Sequence, residues 1–392
     1  MDSILYITCL PKEYGGKEDG GVATHSIQLI LKAKDYYRVG VYSSIKKISR
    51  VDGVSLYKED SKYLKILRII SGYLSVDKEK FKEIGFLSLK DRLRVLYHYS
   101  KLKNIVSQYD VVHIHSLHNL STTALSLLKS RPRIVVTDHG FWQGDLEKSI
   151  ETVIYNSFSA DQVIYISEYA KLKIEENKLN TTNIVKIYNP YLVKELDTKF
   201  KNNIKEKLNI NANKKIILFS GVSEPVNRKG LDILLESVSQ DSYLKDNTVL
   251  IIISNDDGLK YLNQYKNLRN VIPLKPMPYS EIIDYYAISD IFVLPSRSES
   301  FGLVYIEALS FGTPVIGFDK VIQEFQSIYS PIYIGESFNP FIENNEDLGL
   351  KIKKVLSKKF NEAELKEKTI ELFSWEKLFH KFKNVYTELA KK

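Results

Sequence analysis

Cysteine is nearly absent from this 392-residue chain. Cys9 stands alone, which excludes an internal disulfide framework and any thiolate zinc site. So little cysteine fits a reducing compartment, and a cytoplasmic location is expected. Long apolar runs are also missing. No stretch approaches the ~20 residues needed to cross a bilayer, and the longest, such as residues 248–253, have the length of a buried strand. The first residues, Met1-Asp2-Ser3-Ile4-Leu5-Tyr6-Ile7, lack a basic segment followed by a long apolar one. They are expected to form a first strand and not a signal peptide. No repeat of about 20–50 residues is visible, so the two halves are expected to share architecture and not sequence. A D-x-D at a strand end, the usual holder of a metal-bound diphosphate, is absent too.

What is present is ordinary for a globular protein: 44% hydrophobic and 27% charged residues. The length predicts two domains, each able to bury a core. The net charge of +8 is uneven. Residues 1–190 hold 28 lysines and arginines against 21 acids, and residues 62–103 alone hold 11 against 4. Two readings stand for that segment: a solvated basic helical face, or a surface for anionic lipid or another acidic acceptor. Nucleic acid is not expected, because no binding motif accompanies the charge.

Short β-rich runs alternate with helical patterns, which predicts parallel sheets covered by helices. The expected strands of the first half are residues 4–9, 37–42, 111–115, 134–137 and 162–166. Leu89, Leu93, Leu96, Tyr99 and Leu102 recur three or four apart on one helix face. The rhythm pauses at Asn189-Pro190, and a lysine-rich stretch to about Lys214 is expected to be a linker with a short helix. Strands then resume at 216–219, 249–253, 271–273, 291–294 and 314–316. Leu378, Phe379, Phe382, Val385, Tyr386 and Leu389 mark an amphipathic terminal helix that needs a surface to dock on. Two such domains in tandem imply a ligand in the cleft between them, held outside the carboxyl ends of the strands.

The post-strand segments carry the chemistry. Pro295-Ser296-Arg297-Ser298-Glu299-Ser300-Phe301-Gly302-Leu303-Val304-Tyr305-Ile306-Glu307 follows an expected strand and opens a helix. Ser298 or Ser300 is expected to cap that helix, whose N-terminal amides suit a diphosphate. Glu299 and Glu307 can accept hydrogen bonds from sugar and ribose hydroxyls; an ordinary capped helix with two surface glutamates is the competing reading. Residues 221–230, Gly-Val-Ser-Glu-Pro-Val-Asn-Arg-Lys-Gly, place Arg228 and Lys229 in another post-strand loop, where a fork and a point charge suit phosphate neutralisation. A solvated basic loop would look the same. In the first half, Asp19-Gly20-Gly21 opens a helix after strand one and allows close backbone approach to phosphate, or is a flexible loop. It is not G-x-G-x-x-G with a ribose-reading acid, so a dehydrogenase is not expected. His139, in Thr137-Asp138-His139-Gly140, is either a sugar-contacting or a structural histidine. His113 and His115 share a strand face, but no carboxylate or cysteine partner accompanies them, so a structural or acceptor-pocket role is expected over a metal one.

Together these residues resemble glycosyltransferase family 4, whose E-x7-E motif matches Glu299 to Glu307. Gly20-Gly21, the 110–116 segment, His139-Gly140, Ser167-Glu168, Asn189-Pro190, Arg228-Lys229-Gly230, Gly312-Thr313-Pro314 and Phe373-Ser374-Trp375 fall in family order along nearly the whole chain. The resemblance implies an α/β GT-B fold: two Rossmann-like doubly wound domains facing a central cleft, with a C-terminal helix crossing back to the first. The domains would span 1–190 (acceptor-binding) and 191–372 (nucleotide-sugar-binding), with 373–392 as the returning helix. It implies a retaining transferase acting on a UDP- or GDP-sugar without an obligatory metal or cofactor, in cell-surface glycan or glycolipid assembly. Glu307 would bind ribose and Glu299 the donor sugar, while Ser300, Phe301, Gly302 and Leu303 would offer backbone groups. Arg228 and Lys229 would hold the diphosphate, Gly21 would approach it, and His139 would stand near the reacting carbon. Residues about Leu274 to Met277 would face the base. The acceptor would be a glycan, lipid-linked molecule or protein, with peripheral contact to the inner membrane face through 62–103. Two departures stand out: Gly221-Val222 replaces the frequent Gly-Arg, and Ser254-Asn255-Asp256-Asp257 replaces a glycine-rich strand end. Alternatives of the same fold are a nucleotide-sugar epimerase and a non-catalytic binding subunit.

Overall fold

A computed structural model describes the chain except residues 1–2, 17–19, 44–50, 59, 144–145, 193–203, 222–225, 278 and 392. It divides into two units, Met1–Pro190 with Trp375–Lys392, and Tyr191–Ser374.

The first unit is built on a seven-stranded, all-parallel sheet. In chain order its strands are β1 (Ser3–Ile7), β2 (Arg38–Tyr42), β3 (Val54–Tyr57), β4 (Val111–His115), β5 (Arg133–Thr137), β6 (Gln162–Tyr165) and β7 (Ile184–Lys186). Spatially they run β3-β2-β1-β4-β5-β6-β7. The central strands β1 and β4 are buried along their whole length, as expected where helices cover both faces. The two edge strands, β3 and β7, are half-exposed and paired on one side only, so they lack the apolar run by which the inner strands are recognised.

The terminal helix Trp375–Ala390 belongs to this unit. It buries Trp375, Leu378, Phe379, Phe382, Val385, Tyr386 and Leu389, most of them in a core shared with Ile4, Tyr6, Ile30 and Val111. Two polar contacts fix its register. Trp375 Nε1 donates to Gln28 Oε1 at 2.8 Å, and the Tyr386 hydroxyl lies 2.7 Å from His113 Nδ1.

The second unit repeats the scheme with β8 (Lys215–Ser220), β9 (Thr248–Ile253), β10 (Val271–Leu274), β11 (Ile291–Leu294), β12 (Val315–Phe318) and β13 (Gly335–Phe338). The order is β10-β9-β8-β11-β12-β13, again all parallel. β13, with the sequence GESF, has no apolar run and sits at an edge. Of the lysine-rich stretch, residues 193–203 lie outside the described residues, and 204–207 are helical. Asp19 and residues 222–225, part of two expected ligand loops, also lie outside them.

Candidate functional site

Strand order reverses between β1 and β4 in the first sheet and between β8 and β11 in the second. Loops leaving the carboxyl ends on either side of such a reversal part to opposite faces, and the crevice they leave is the usual ligand site of open parallel sheets. The loops that carry Gly20-Gly21, Arg228-Lys229 and Glu299 leave β1, β8 and β11, and Asp138-His139 leaves the neighbouring β5.

In the second unit, the loop after β8 ends in a short 3-10 turn, Val226–Lys229, and Gly230. Gly230 has φ of 75°, and a Cβ there would fall 2.1 Å from the Pro295 carbonyl oxygen. Only glycine permits this approach, which presses the loop after β8 onto the loop after β11. Arg297 clamps the same junction. Its guanidinium forks onto Asp232 at 2.9 and 2.8 Å and donates to the Asn227 carbonyl, while its backbone N–H donates to the Arg228 carbonyl at 2.9 Å.

Lys229 and Glu299 meet there. The Lys229 ammonium donates to Glu299 Oε1 at 2.6 Å, and Ser296 Oγ donates to the same oxygen at 2.8 Å. The Glu299 side chain is 7% exposed and that of Lys229 18%. Among the described residues no acid pairs with Arg228, which is half-buried.

Gly302, with φ of 71°, caps the helix Leu303–Ser310 without a side-chain hydrogen bond. The expectation that Ser298 or Ser300 caps it is corrected. The chain enters through a left-handed residue, and the Tyr305 ring occupies the space where a Cβ on Gly302 would stand, 2.4 Å away. The Tyr305 N–H donates to the Gly302 carbonyl at 2.9 Å. Phe301 turns its ring into the core against Phe325 and Phe373. Leu303 begins the helix and, like Ser300, is half-buried.

Glu307 lies two turns from Glu299 in sequence but has its own partner, the Tyr286 hydroxyl, which donates to Oε2 at 2.9 Å. Burial pushes its carboxyl up to about 7, against that hydrogen bond, which favours the charged form. The two glutamates are therefore distinct: Glu299 is buried in an ion pair, whereas half-buried Glu307 faces a neutral hydroxyl. Ser254 and Asn255, the departure from the glycine-rich strand end, are structural here. Ser254 Oγ donates to the Gly221 carbonyl at 2.9 Å, and Asn255 caps the helix Asp256–Tyr261.

In the first unit, Gly21 opens the helix Gly21–Ala33, which has no side-chain cap at Gly20. The next turn carries His25, which the sequence did not single out; it joins His115 and His139 in one cluster. The His115 and His139 rings stack at 5.2 Å, and His25 packs edge-on to His139 at 5.1 Å. Ser26 Oγ lies 2.7 Å from the Val22 carbonyl, 2.6 Å from Thr8 Oγ1 and 3.3 Å from His115 Nδ1. His115 Nδ1 and His139 Nε2 stand 2.9 Å apart, so one of the two carries the proton that they share.

Burial pushes the imidazole of His139 down to about 4 and that of His113 to about 3. It lowers His25 and His115 as well, with repulsion from the neighbouring histidines adding to it. Asp138 accepts from the backbone N–H groups of Gly140 and Phe141 at 2.9 and 3.0 Å, and burial raises its carboxyl against those bonds.

Candidate ligand nitrogens of His25, His115 and His139 lie within 4.8 Å of one another, a spacing compatible with a metal ion. The described residues bring no carboxylate into that group, and His115 Nδ1 and His139 Nε2 are engaged with each other. His113 is structural: it is buried and bonded to Thr137 and Tyr386, both at 2.7 Å.

Two all-parallel doubly wound units in one chain, with the terminal helix returned to the first, are the elements of the GT-B fold. Residues 20–191 match the model for Glycosyltransferase Family 4, and residues 200–372 match that for Glycosyl transferases group 1. The chain belongs to this family of glycosyltransferases. It is 26% identical to the uncharacterized glycosyltransferase MJ1178 of Methanocaldococcus jannaschii, over 95% of each chain. Its fold is similar to the sucrose-phosphate synthase of Thermosynechococcus elongatus (TM-score 0.73, 18% identity, 99% of both chains). It is also similar to Alr3699/HepE of Anabaena in complex with UDP and glucose (TM-score 0.73, 15% identity, 99% of this chain and 100% of that one).

Proposed function

We propose that the protein transfers a sugar from a nucleoside diphosphate to an acceptor hydroxyl with retention of configuration and without an obligatory metal ion. The observation that carries this is the cluster at the β8/β11 switch point, where Lys229, Glu299 and Ser296 meet beside Arg228 and the amides at Gly302. Lys229 and Arg228 neutralise the diphosphate, assisted by the backbone of Ser300 to Leu303. Glu299 accepts from donor-sugar hydroxyls and Glu307 from the ribose. Gly21 offers its amide to phosphate, and His139 contacts the sugar near the reacting carbon. The leaving phosphate oxygen takes the acceptor's proton, so electrostatic stabilisation of the departing diphosphate supplies the rate and no side chain need act as base. A UDP-sugar is the first donor to test, in keeping with the UDP, UDP-glucose and glucose named for the HepE complexes; a GDP-sugar is the second.

The acceptor is a glycan, a lipid-linked molecule or a protein. The reaction serves cell-surface glycan or glycolipid assembly on the cytoplasmic side, with residues 62–103 touching the membrane. A thermal-shift panel of UDP, GDP, ADP and their sugars tests the donor site, since a ligand held at 100 times its Kd adds about 2.7 kcal/mol. At least one nucleotide should shift the wild type and fail to shift Lys229→Ala and Glu307→Ala, both folded. The anomeric configuration of the product, read by NMR, then tests retention. If no nucleotide shifts the protein, or both variants turn over normally, the site is misassigned. Release of an altered nucleotide sugar without acceptor would identify an epimerase instead.

A further inference from the structure

The helix Lys62–Ser75 is amphipathic in the reverse of the usual sense. Tyr63, Ile66, Leu67, Ile70, Tyr73 and Leu74 recur three or four residues apart and so form one stripe. All six are exposed, Tyr63 by 70% and Leu74 by 76%. The face turned toward the domain carries Lys65, Arg68, Ile69 and Gly72. Gly72 lets this helix lie on the helix Leu89–Val106, because a Cβ there would fall 2.4 Å from the Leu96 carbonyl oxygen. The Lys65 ammonium stands 5.5 Å from the centre of the Tyr97 ring, and Arg68 Nε lies 3.5 Å from Asp60 Oδ2. The polar side is thus anchored and the apolar side offered outward, the opposite of a surface helix that serves only its own core.

The patch extends beyond one helix. Leu89 and Leu93 on the neighbouring helix are also exposed. A groove of about 750 Å³ beside them sets the cations of Lys65, Lys90 and Arg94 against those leucines and Ile69. A contiguous apolar surface of this kind marks an interaction site, and the surrounding charge names the partner. The helix has three cations and no acid, within a segment of 11 basic and 4 acidic residues. A second copy of the chain would bring those cations against themselves, whereas an anionic lipid surface neutralises them. With 14 residues, about 21 Å of helix at 1.5 Å per residue, it is too short to span a bilayer. It can lie in the plane of one, with Tyr63 and Tyr73 toward its two ends at interface depth.

We propose that the helix Lys62–Ser75 inserts its outward apolar stripe into an anionic bilayer, with Lys62, Lys90 and Arg94 at headgroup level. The inference rests on reading segment 62–103 as the membrane contact and adds that apolar insertion, not charge alone, supplies the binding. The test is co-sedimentation of the full chain with phosphatidylcholine vesicles, with and without phosphatidylglycerol, at low and high salt. Leu67→Ser/Leu74→Ser is compared with Lys90→Glu/Arg94→Glu, with melting temperature as the control for folding and light scattering for oligomeric state. The wild type should bind the phosphatidylglycerol vesicles and retain part of that binding at high salt. The leucine variant, equally stable, should lose about tenfold or more in partitioning, since each leucine contributes roughly the transfer energy of a buried aliphatic side chain. Equal binding by the leucine variant, with loss only in the charge-reversal variant, would overturn insertion while leaving the basic contact standing. No vesicle binding by the wild type would overturn both. A wild-type dimer that the leucine substitutions convert to monomer would assign the face to a second copy and refute the membrane.

Discussion

Replacing Lys229 by methionine should unsettle the second unit more than replacing both members of its ion pair. The two charges stand 2.6 Å apart. Their Coulomb attraction at an effective dielectric near 20 is about 6 kcal/mol, and taking both ions out of water offsets most of it. Lys229→Met removes the attraction but leaves the Glu299 carboxylate buried, with Ser296 as its remaining hydrogen-bond donor among the described residues. That imbalance costs about 3 kcal/mol, the lower end for a broken buried pair, because Lys229 keeps partial solvent contact. For a unit of this size the loss corresponds to a fall in Tm of about 6–12 °C. Glu299→Gln keeps the acceptor for Ser296 and should cost about 2 kcal/mol. The double variant Lys229→Met/Glu299→Gln leaves no buried charge, and its loss should be about 2 kcal/mol instead of the sum of the singles. The assay is a double-mutant cycle by urea denaturation and calorimetry on the full chain, with a coupling of about 3 kcal/mol expected. Additivity within about 0.5 kcal/mol would refute the pairing, and with it the idea that a diphosphate must compete with Glu299 for Lys229.

Further outcomes follow from the buried polar groups. The Glu307 carboxyl is raised from 4.5 to about 7 in the folded chain, so it stabilises the fold below its unfolded pKa and that contribution is lost as pH rises through 7. Glu307→Gln should therefore flatten the fall in stability between about pH 4.5 and 7, a difference of about 3 kcal/mol at most; parallel pH–stability curves for variant and wild type would contradict the raised carboxyl. Tyr386→Phe removes a hydroxyl bonded to His113 and 3.2 Å from that of Tyr6, and a loss of about 1–3 kcal/mol is expected in urea denaturation; an unchanged midpoint would show that these bonds do not hold the terminal helix. His25 is 1% exposed, and neither ring nitrogen finds a partner among the described residues. His25→Leu should leave the melting temperature unchanged or raise it, because an unsatisfied buried polar group costs about 1–3 kcal/mol; a marked fall would mean that His25 has a bound partner in solution.

Much of the fold was legible because parallel strands buried on both faces read as short apolar runs. β1, β4, β8, β9 and β11 all do. β3, β7 and β13 escaped, since an edge strand keeps one side open and needs no such run. At the candidate site, Glu299, Glu307 and Lys229 were visible by residue type and by following strands. Their partners were not. Ser296 and Tyr286 are common residues whose roles arise only when distant segments meet, and Arg297 was hidden in a motif read for its glutamates. The serine caps expected for the helix Leu303–Ser310 failed for a local reason, the left-handed turn at Gly302.

Sequence alone determined the two-domain α/β architecture, the docking stripe of the terminal helix and the loops that carry polar chemistry, because periodicity and turn residues report local burial and local backbone freedom. Tertiary structure decided the rest. It paired Lys229 with Glu299, desolvated Glu307, gathered His25 with His115 and His139, and turned the apolar stripe of the helix Lys62–Ser75 outward. The last is the sharpest case. A periodic pattern states that a helix has two faces, but which face meets the protein depends on what the neighbouring helix presents, here the Leu96 carbonyl, Tyr97 and Asp60.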